Sequence, residues 1–121
     1  MAKVRALIVE NEFIVSLDLR YRLEAMGYCV HDKIKFGEEA VEAASRLRPH
    51  VVLLDIGLSG SMDGVAAAAE IRRRFNIPVV FLTAYNDEAT FARARTTQPS
   101  GVIIKPFQDA QLQAAITAAI Q

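Results

Sequence analysis

The sequence predicts an α/β domain built on a doubly wound, five-stranded parallel sheet, and three observations carry that prediction. Four short runs, Ala6-Leu7-Ile8-Val9, Val51-Val52-Leu53-Leu54, Pro78-Val79-Val80-Phe81-Leu82 and Gly101-Val102-Ile103-Ile104, are continuously apolar rather than alternating. Continuous runs of that length are the pattern of parallel strands covered on both faces. The segments between them carry apolar residues at helical spacing, so helices alternate with strands. Each run also ends on polar chemistry: Glu10-Asn11, Asp55, Thr83 and Lys105-Pro106. Parallel strands point their carboxyl ends the same way, and in an open α/β sheet the crevice outside those ends holds ligands and chemistry. The four polar endings are therefore expected to meet at one rim.

The elements follow in order. A first strand runs from about Val4 to Val9 and a helix from about Glu12 to Met26, stopped by Gly27. Val15, Leu19, Leu23 and Met26 form the stripe expected to face the sheet. Phe13, Ile14, Leu17 and Tyr21 lie off that stripe and are expected to add to the core. A second strand, about Tyr28 to Lys33, is mixed in polarity and reads as an edge. A second helix spans about Gly37 to Leu47, and Pro49 introduces a third strand from about His50 to Leu54. After the Gly- and Ser-rich loop 57–62, Asp63 is a good N-cap for an alanine-rich helix to about Phe75. Arg72, Arg73 and Arg74 read as its solvated end, favourable at the negative pole of the helix dipole. Pro78 opens a fourth strand ending near Leu82, and Asn86 or Asp87 caps a short helix to about Arg95. A fifth strand covers about Val102 to Ile104. Gln108 or Asp109 starts the last helix, whose Leu112, Ile116 and Ala119 or Ile120 face the sheet.

Composition narrows the function. At 121 residues and 52% hydrophobic content, residues 1–121 make one domain with a real core. Fourteen basic residues balance fourteen acidic ones, so no net field draws the chain to nucleic acid or an anionic membrane, and no direct nucleic-acid binding is expected. The apolar runs are too short for a membrane span and the N-terminus lacks a signal-peptide core, which points to a cytoplasmic protein. Cys29 is the lone cysteine, expected to be a small buried residue of the second strand; His31 and His50 lack partners at metal-ligand spacing.

The rim residues have a definite chemistry. A carboxylate such as Asp55, of reference pKa about 3.9, is ionised at neutral pH. Glu10 beside it would repel it, and a hard divalent cation in an oxygen-rich site, Mg2+, removes that repulsion. Asp55 can then act as a nucleophile towards a phosphoryl group, forming an acyl phosphate. Lys105 supplies a point charge for one phosphoryl oxygen, Thr83 a hydroxyl donor for another, and Ala84 is small enough to leave room.

The ordered set Leu7-Ile8-Val9-Glu10-Asn11-Glu12, Leu53-Leu54-Asp55, Met62-Asp63-Gly64, Phe81-Leu82-Thr83-Ala84 and Lys105-Pro106-Phe107 resembles the receiver domain of two-component response regulators, in particular chemotaxis-type single-domain regulators. The resemblance covers essentially the whole chain. It implies a flavodoxin-like sheet of order 2-1-3-4-5 and phosphorylation of Asp55 by a histidine kinase or histidine phosphotransfer protein. A conformational relay through Thr83 and Lys105, and a cis Lys105-Pro106 bond, are implied with it. It further implies Mg2+ held by Glu10, Asn11, Asp55 and the backbone carbonyl of Gly57. Acceptance and loss of the phosphoryl group would be self-catalysed, with no other enzyme activity, and the output would be altered affinity for a downstream protein in a phosphorelay or docking event.

Several positions depart from the family pattern. Asn11 stands where a second carboxylate is usual and brings no charge, which predicts weaker Mg2+ binding; Glu12 is expected in the first helical turn, suiting the positive dipole end. Val102 replaces the usual switching aromatic, and Tyr85 is expected to shield the phosphoryl group or take over part of the switching. The loop after Asp55 is one residue longer than the chemotaxis-type pattern, with Ser59 where proline is common. The last helix has Asp109 as its only charge, so any homodimer would be weak and formed through a neutral, small-residue face. A haloacid-dehalogenase-type phosphatase needs an acid where Gly57 stands, and a flavodoxin-like cofactor carrier would not place Glu10-Asn11-Glu12 in its first loop. The alternative that survives is a pseudo-receiver, folded but never phosphorylated, acting as a protein-binding module.

Overall fold

The computed structural model describes residues 3–34, 37–57, 63–83 and 88–121. Strands and helices alternate throughout: β1 (Arg5–Val9), α1 (Phe13–Ala25), β2 (Cys29–Ile34), α2 (Gly37–Leu47), β3 (Val51–Asp55), α3 (Gly64–Phe75), β4 (Val79–Thr83), α4 (Glu88–Arg95), β5 (Gly101–Ile104) and α5 (Asp109–Ala119). All five strands are parallel, in the order β2-β1-β3-β4-β5. That is the order the resemblance implied, and the Lys105-Pro106 bond is cis.

Because successive strand side chains alternate between faces, the apolar runs of β1, β3 and β4 each feed two cores. Leu7, Val9, Val52, Leu54, Val79 and Phe81 pack with α2, α3 and Ala94 of α4. Ala6, Ile8, Val51, Leu53, Val80, Leu82 and Ile103 pack with α1 and α5. Those three runs are continuous because neither face meets water; β5 is an edge strand whose Val102 and Ile104 are 38% and 50% exposed, so the cover expected on both of its faces is corrected. Asp63 caps α3 as expected, accepting the Ala66 N–H at 2.8 Å. Gln108 and Gln111 form a reciprocal capping box at the start of α5. No helix among the described residues is long and apolar enough to cross a membrane.

Two packing expectations about side chains are also corrected. Leu19 and Leu23 are buried against the sheet, but Phe13, Ile14 and Tyr21 are 72%, 73% and 78% exposed and Leu17 is 51% exposed. A two-residue step turns a helix by about 200°, so Phe13, Leu17 and Tyr21 stand opposite Val15, Leu19 and Leu23. With the sheet on one side of α1, that outer face is left apolar and open. Cys29 is half-buried rather than buried, because β2 is an edge strand whose neighbour Val30 takes the core position. In α5 the stripe is as expected, with Ala119, of the two candidates, packed beside Leu112 and Ile116. The proposed caps of the fourth helix, Asn86 and Asp87, lie outside the described residues, as do Ser59, Ala84 and Tyr85.

Candidate functional site at the carboxyl rim of the sheet

Strand register brings the polar endings together. Val9 pairs with Leu54, Asp55 with Leu82, and Thr83 with Ile104, so the residues at or just after these positions emerge side by side. Among the described residues the buried polar or charged side chains are Glu10, Asp55 and Thr83, and all three are at this rim. Burial of charge is costly unless it is paired. The pairing comes from Lys105, whose Nζ donates to Glu10 Oε1 at 2.7 Å and lies 3.4 Å from Asp55 Oδ2 and 3.9 Å from Glu12 Oε1.

Backbone bonds hold these groups in place. The Lys105 N–H donates to the Thr83 carbonyl at 2.7 Å, which ties the end of β5 to the end of β4. The Gly57 N–H donates to Asp55 Oδ1 at 2.9 Å and orients that carboxylate; the Glu12 N–H donates to Glu10 Oε2 at 3.2 Å. Behind Asp55, α3 approaches so closely that a Cβ on Gly64 would lie 2.3 Å from the Asp55 carbonyl oxygen. Glycine is required there by backbone contact, not by φ.

The rim carries more negative than positive charge. Burial, reinforced by the hydrogen bond to and charge of Asp55, pushes the Glu10 carboxyl up to about 7 despite Lys105. Burial pulls the Lys105 ammonium down, but its hydrogen bond to Glu10 and the charge of Asp55 win, and the net direction is up. Both partners of one ion pair move up because burial outweighs the ammonium at Glu10, whereas two carboxylates outweigh burial at Lys105. Glu10, Glu12 and Asp55 each offer a carboxylate oxygen, all within 4.8 Å of one another. An all-oxygen donor set with surplus negative charge fits Mg2+.

Glu12 is the residue the sequence reading undervalued. It is the extended N-cap of α1, outside the first turn, and its side chain makes no cap hydrogen bond. Its carboxylate stands beside those of Glu10 and Asp55, so the first-turn placement expected of it is corrected. Asn11 beside it is exposed. Gly64 was visible in the Asp63-Gly64 pair, where a glycine inside a helix start is a packing signal. Val102 is 38% exposed on β5, and Pro106 is exposed in a groove of about 570 Å3 lined by Ile14, Val15, Asp18, Arg22, Lys105 and Phe107.

Residues 6–117 match the family described as response regulator receiver domain. The chain belongs to that family. This receiver is 35% identical over 115 residues to the phyllosphere-induced regulator PhyR of Methylorubrum extorquens, covering 94% of this chain and 42% of the relative. It is 34% identical over 116 residues to the transcriptional regulatory protein PdtaR of Mycobacterium tuberculosis, covering 96% of this chain and 56% of the relative. The receiver thus spans about half the length of these curated relatives. Among solved structures it superposes on the signal receiver domain of a modulated diguanylate cyclase from Desulfovibrio desulfuricans, with TM-score 0.94, 39% identity and coverage of 98% and 94%. It also superposes on the receiver domain of a sensor histidine kinase from Pseudomonas aeruginosa, described with a magnesium ion in its active-site cleft, with TM-score 0.88, 29% identity and 98% coverage of both chains. The receiver is a signal-transduction module of the two-component type.

Proposed function

We propose that residues 1–121 work as one receiver unit that accepts a phosphoryl group on Asp55 and thereby changes affinity for a protein partner. The observation that carries this is the confinement of the described buried polar side chains, Glu10, Asp55 and Thr83, to one rim together with Lys105. Their roles follow from chemistry. An Asp55 carboxylate oxygen attacks phosphorus; the bond from phosphorus to the donor's nitrogen or oxygen breaks, and the donor leaves with that electron pair. Lys105 holds positive charge beside the incoming group, exchanging part of its contact with Glu10 for a phosphoryl oxygen. The Thr83 hydroxyl donates to another, and Ala84 leaves space.

Mg2+, bound by Glu10, Asp55 and Glu12 with Asn11 and the Gly57 carbonyl as further oxygen donors, would neutralise the charge that separates carboxylate and phosphoryl group. Pro106 follows Lys105 in the switching loop. Val102 stands where the usual switching aromatic would be, so the role assigned to Tyr85 is to shield the phosphoryl group or to take over part of the switching with Thr83 and Lys105. The phosphodonor is a cytoplasmic histidine kinase or histidine phosphotransfer protein. The open apolar face of α1, whose Ile14 shares a groove with Lys105, is the surface such a donor would cover.

Incubation with acetyl phosphate and Mg2+, followed by intact mass, tests the reading. One phosphate adduct on the wild type and none on Asp55→Asn is expected; no adduct on the wild type, or equal adducts on both, overturns it. Asn11 in place of a second carboxylate favours one competitor, the binding-only pseudo-receiver, for which no adduct forms and partner affinity is independent of phosphodonor.

A further inference from the structure

Arg22 makes contacts that the phosphoryl-accepting reading does not use. On α1, its Nη1 donates to Asp109 Oδ1 at 2.6 Å and its Nε to Asp18 Oδ2 at 3.0 Å. Its guanidinium carbon also stands 5.5 Å from the centroid of the Phe107 ring. The hydrogen bond to Asp109, then that to Asp18, raises its pKa further above an already high value, so the charge is permanent. Guanidinium is the group for this task, because its rigid fork can serve two carboxylates while its flat face lies near a ring.

The position of these contacts gives them consequence. Phe107 and Asp109 flank Gln108, the N-cap of α5, and lie two and four residues beyond Lys105. On the other side, the Lys105 N–H is bonded to the Thr83 carbonyl at 2.7 Å. The segment bearing Lys105 is therefore pinned to β4 at one end and to α1 at the other. Arg22 supplies the second pin, and the groove shared by Arg22, Pro106 and Lys105 connects it to the rim.

We propose that Arg22 is a positioning residue: by clamping Phe107 and Asp109 to α1, it fixes the β5–α5 connection so that the Lys105 ammonium is held towards Asp55. This rests on the phosphoryl-accepting reading, and it assigns to α1 a part in the reaction that no rim residue reveals. It also links the reaction to the helix whose outer face is open. Whatever covers Phe13, Leu17 and Tyr21 would press on the same helix that holds Lys105 in place.

The test is a double-mutant cycle in acetyl phosphate phosphorylation, read by intact mass against time at saturating Mg2+. Arg22→Ala is expected to slow adduct formation roughly tenfold, since small misplacement of a reacting group is costly. Asp109→Asn, which leaves α1 untouched, should slow it in the same direction. In a Lys105→Ala background, Arg22→Ala should have less than about twofold further effect, because residues acting through one another are not additive. Hydrogen exchange of the wild type and Arg22→Ala supplies an arm independent of phosphoryl chemistry: exchange at Lys105 should quicken while that at Leu53 and Val80 stays unchanged. A wild-type rate in Arg22→Ala, or the same fold loss with and without Lys105, overturns the clamp. If the wild type takes no phosphate at all, the phosphoryl-accepting reading fails, and the exchange arm alone decides whether Arg22 orders Lys105.

Discussion

Glu10 should make the metal-free protein lose stability as pH rises through neutrality. In the unfolded chain its carboxyl titrates near the ordinary glutamate value of 4.5, and in the folded protein at about 7, because burial and Asp55 disfavour its charge. The folded state therefore binds the proton more tightly. This contribution to stability is complete below the unfolded pKa and disappears as pH climbs through the folded one. A shift of that size corresponds to about 3 kcal/mol at about 1.4 kcal/mol per unit, roughly three-quarters of it lost between pH 5 and 8. Lys105 does not interfere: its pKa is raised, so it stays charged across the window. The assay is urea unfolding at half-unit pH steps in chelator, comparing wild type with Glu10→Gln. Wild-type stability should fall relative to the variant by roughly 2–3 kcal/mol between pH 5 and 8. Saturating Mg2+ should cancel most of the fall by offsetting the surplus charge. Parallel curves for the two proteins in chelator would refute the account of the rim as a buried, over-negative site.

The remaining predictions concern packing, metal and surface. Gly64→Ala should cost about 3 kcal/mol or more in urea unfolding, since the new Cβ meets backbone of Asp55 at 2.3 Å and of Ile56 at 2.9 Å, which cannot give way as a side chain would. In Mg2+ titrations followed by calorimetry, Glu12→Gln should weaken binding and Asn11→Asp should tighten it, each by roughly tenfold, because affinity follows ligand charge; equal affinities in all three proteins would remove both residues from the site. Asp63→Ala should lower stability at pH 7 by about 1 kcal/mol through loss of the α3 cap. The Ala66 N–H, and then Arg93, hold the Asp63 carboxyl below its usual range, so the deficit should shrink as pH falls through that lowered value. Phe13→Ser with Tyr21→Ser should leave stability within about 0.5 kcal/mol of wild type yet slow phosphotransfer from a protein donor, with acetyl phosphate phosphorylation unchanged; a large loss of stability would mean that the face is not open.

Much of the fold is legible in the sequence because its signals are short-range. Apolar runs of four or five residues mark the strands, Asp63 and Gln108 mark helix starts, and Gly27 marks an end. These choices are made within a turn or two of chain, and the observed boundaries differ from the predicted ones by no more than about one residue, the uncertainty inherent in helix and strand ends. The rim is legible for the same reason: the residue that ends a parallel strand must lie at its carboxyl edge.

What the sequence could not determine was which surfaces another layer would cover. The stripe of Leu19 and Leu23 and the stripe of Phe13, Leu17 and Tyr21 are equally apolar; only the presence of a sheet on one side of α1 buries the first and leaves the second in water. Glu12 and Glu10 are both acids near a helix start. The close approach of β3 and Lys105 gathers both carboxylates with Asp55 and lifts the Glu10 pKa. Gly64 against Asp55, and Arg22 against Asp109, join residues far apart in the chain. Local preference is set by neighbours in sequence, whereas burial, charge and pairing are set by neighbours in space, and those exist only once the sheet has closed its layers.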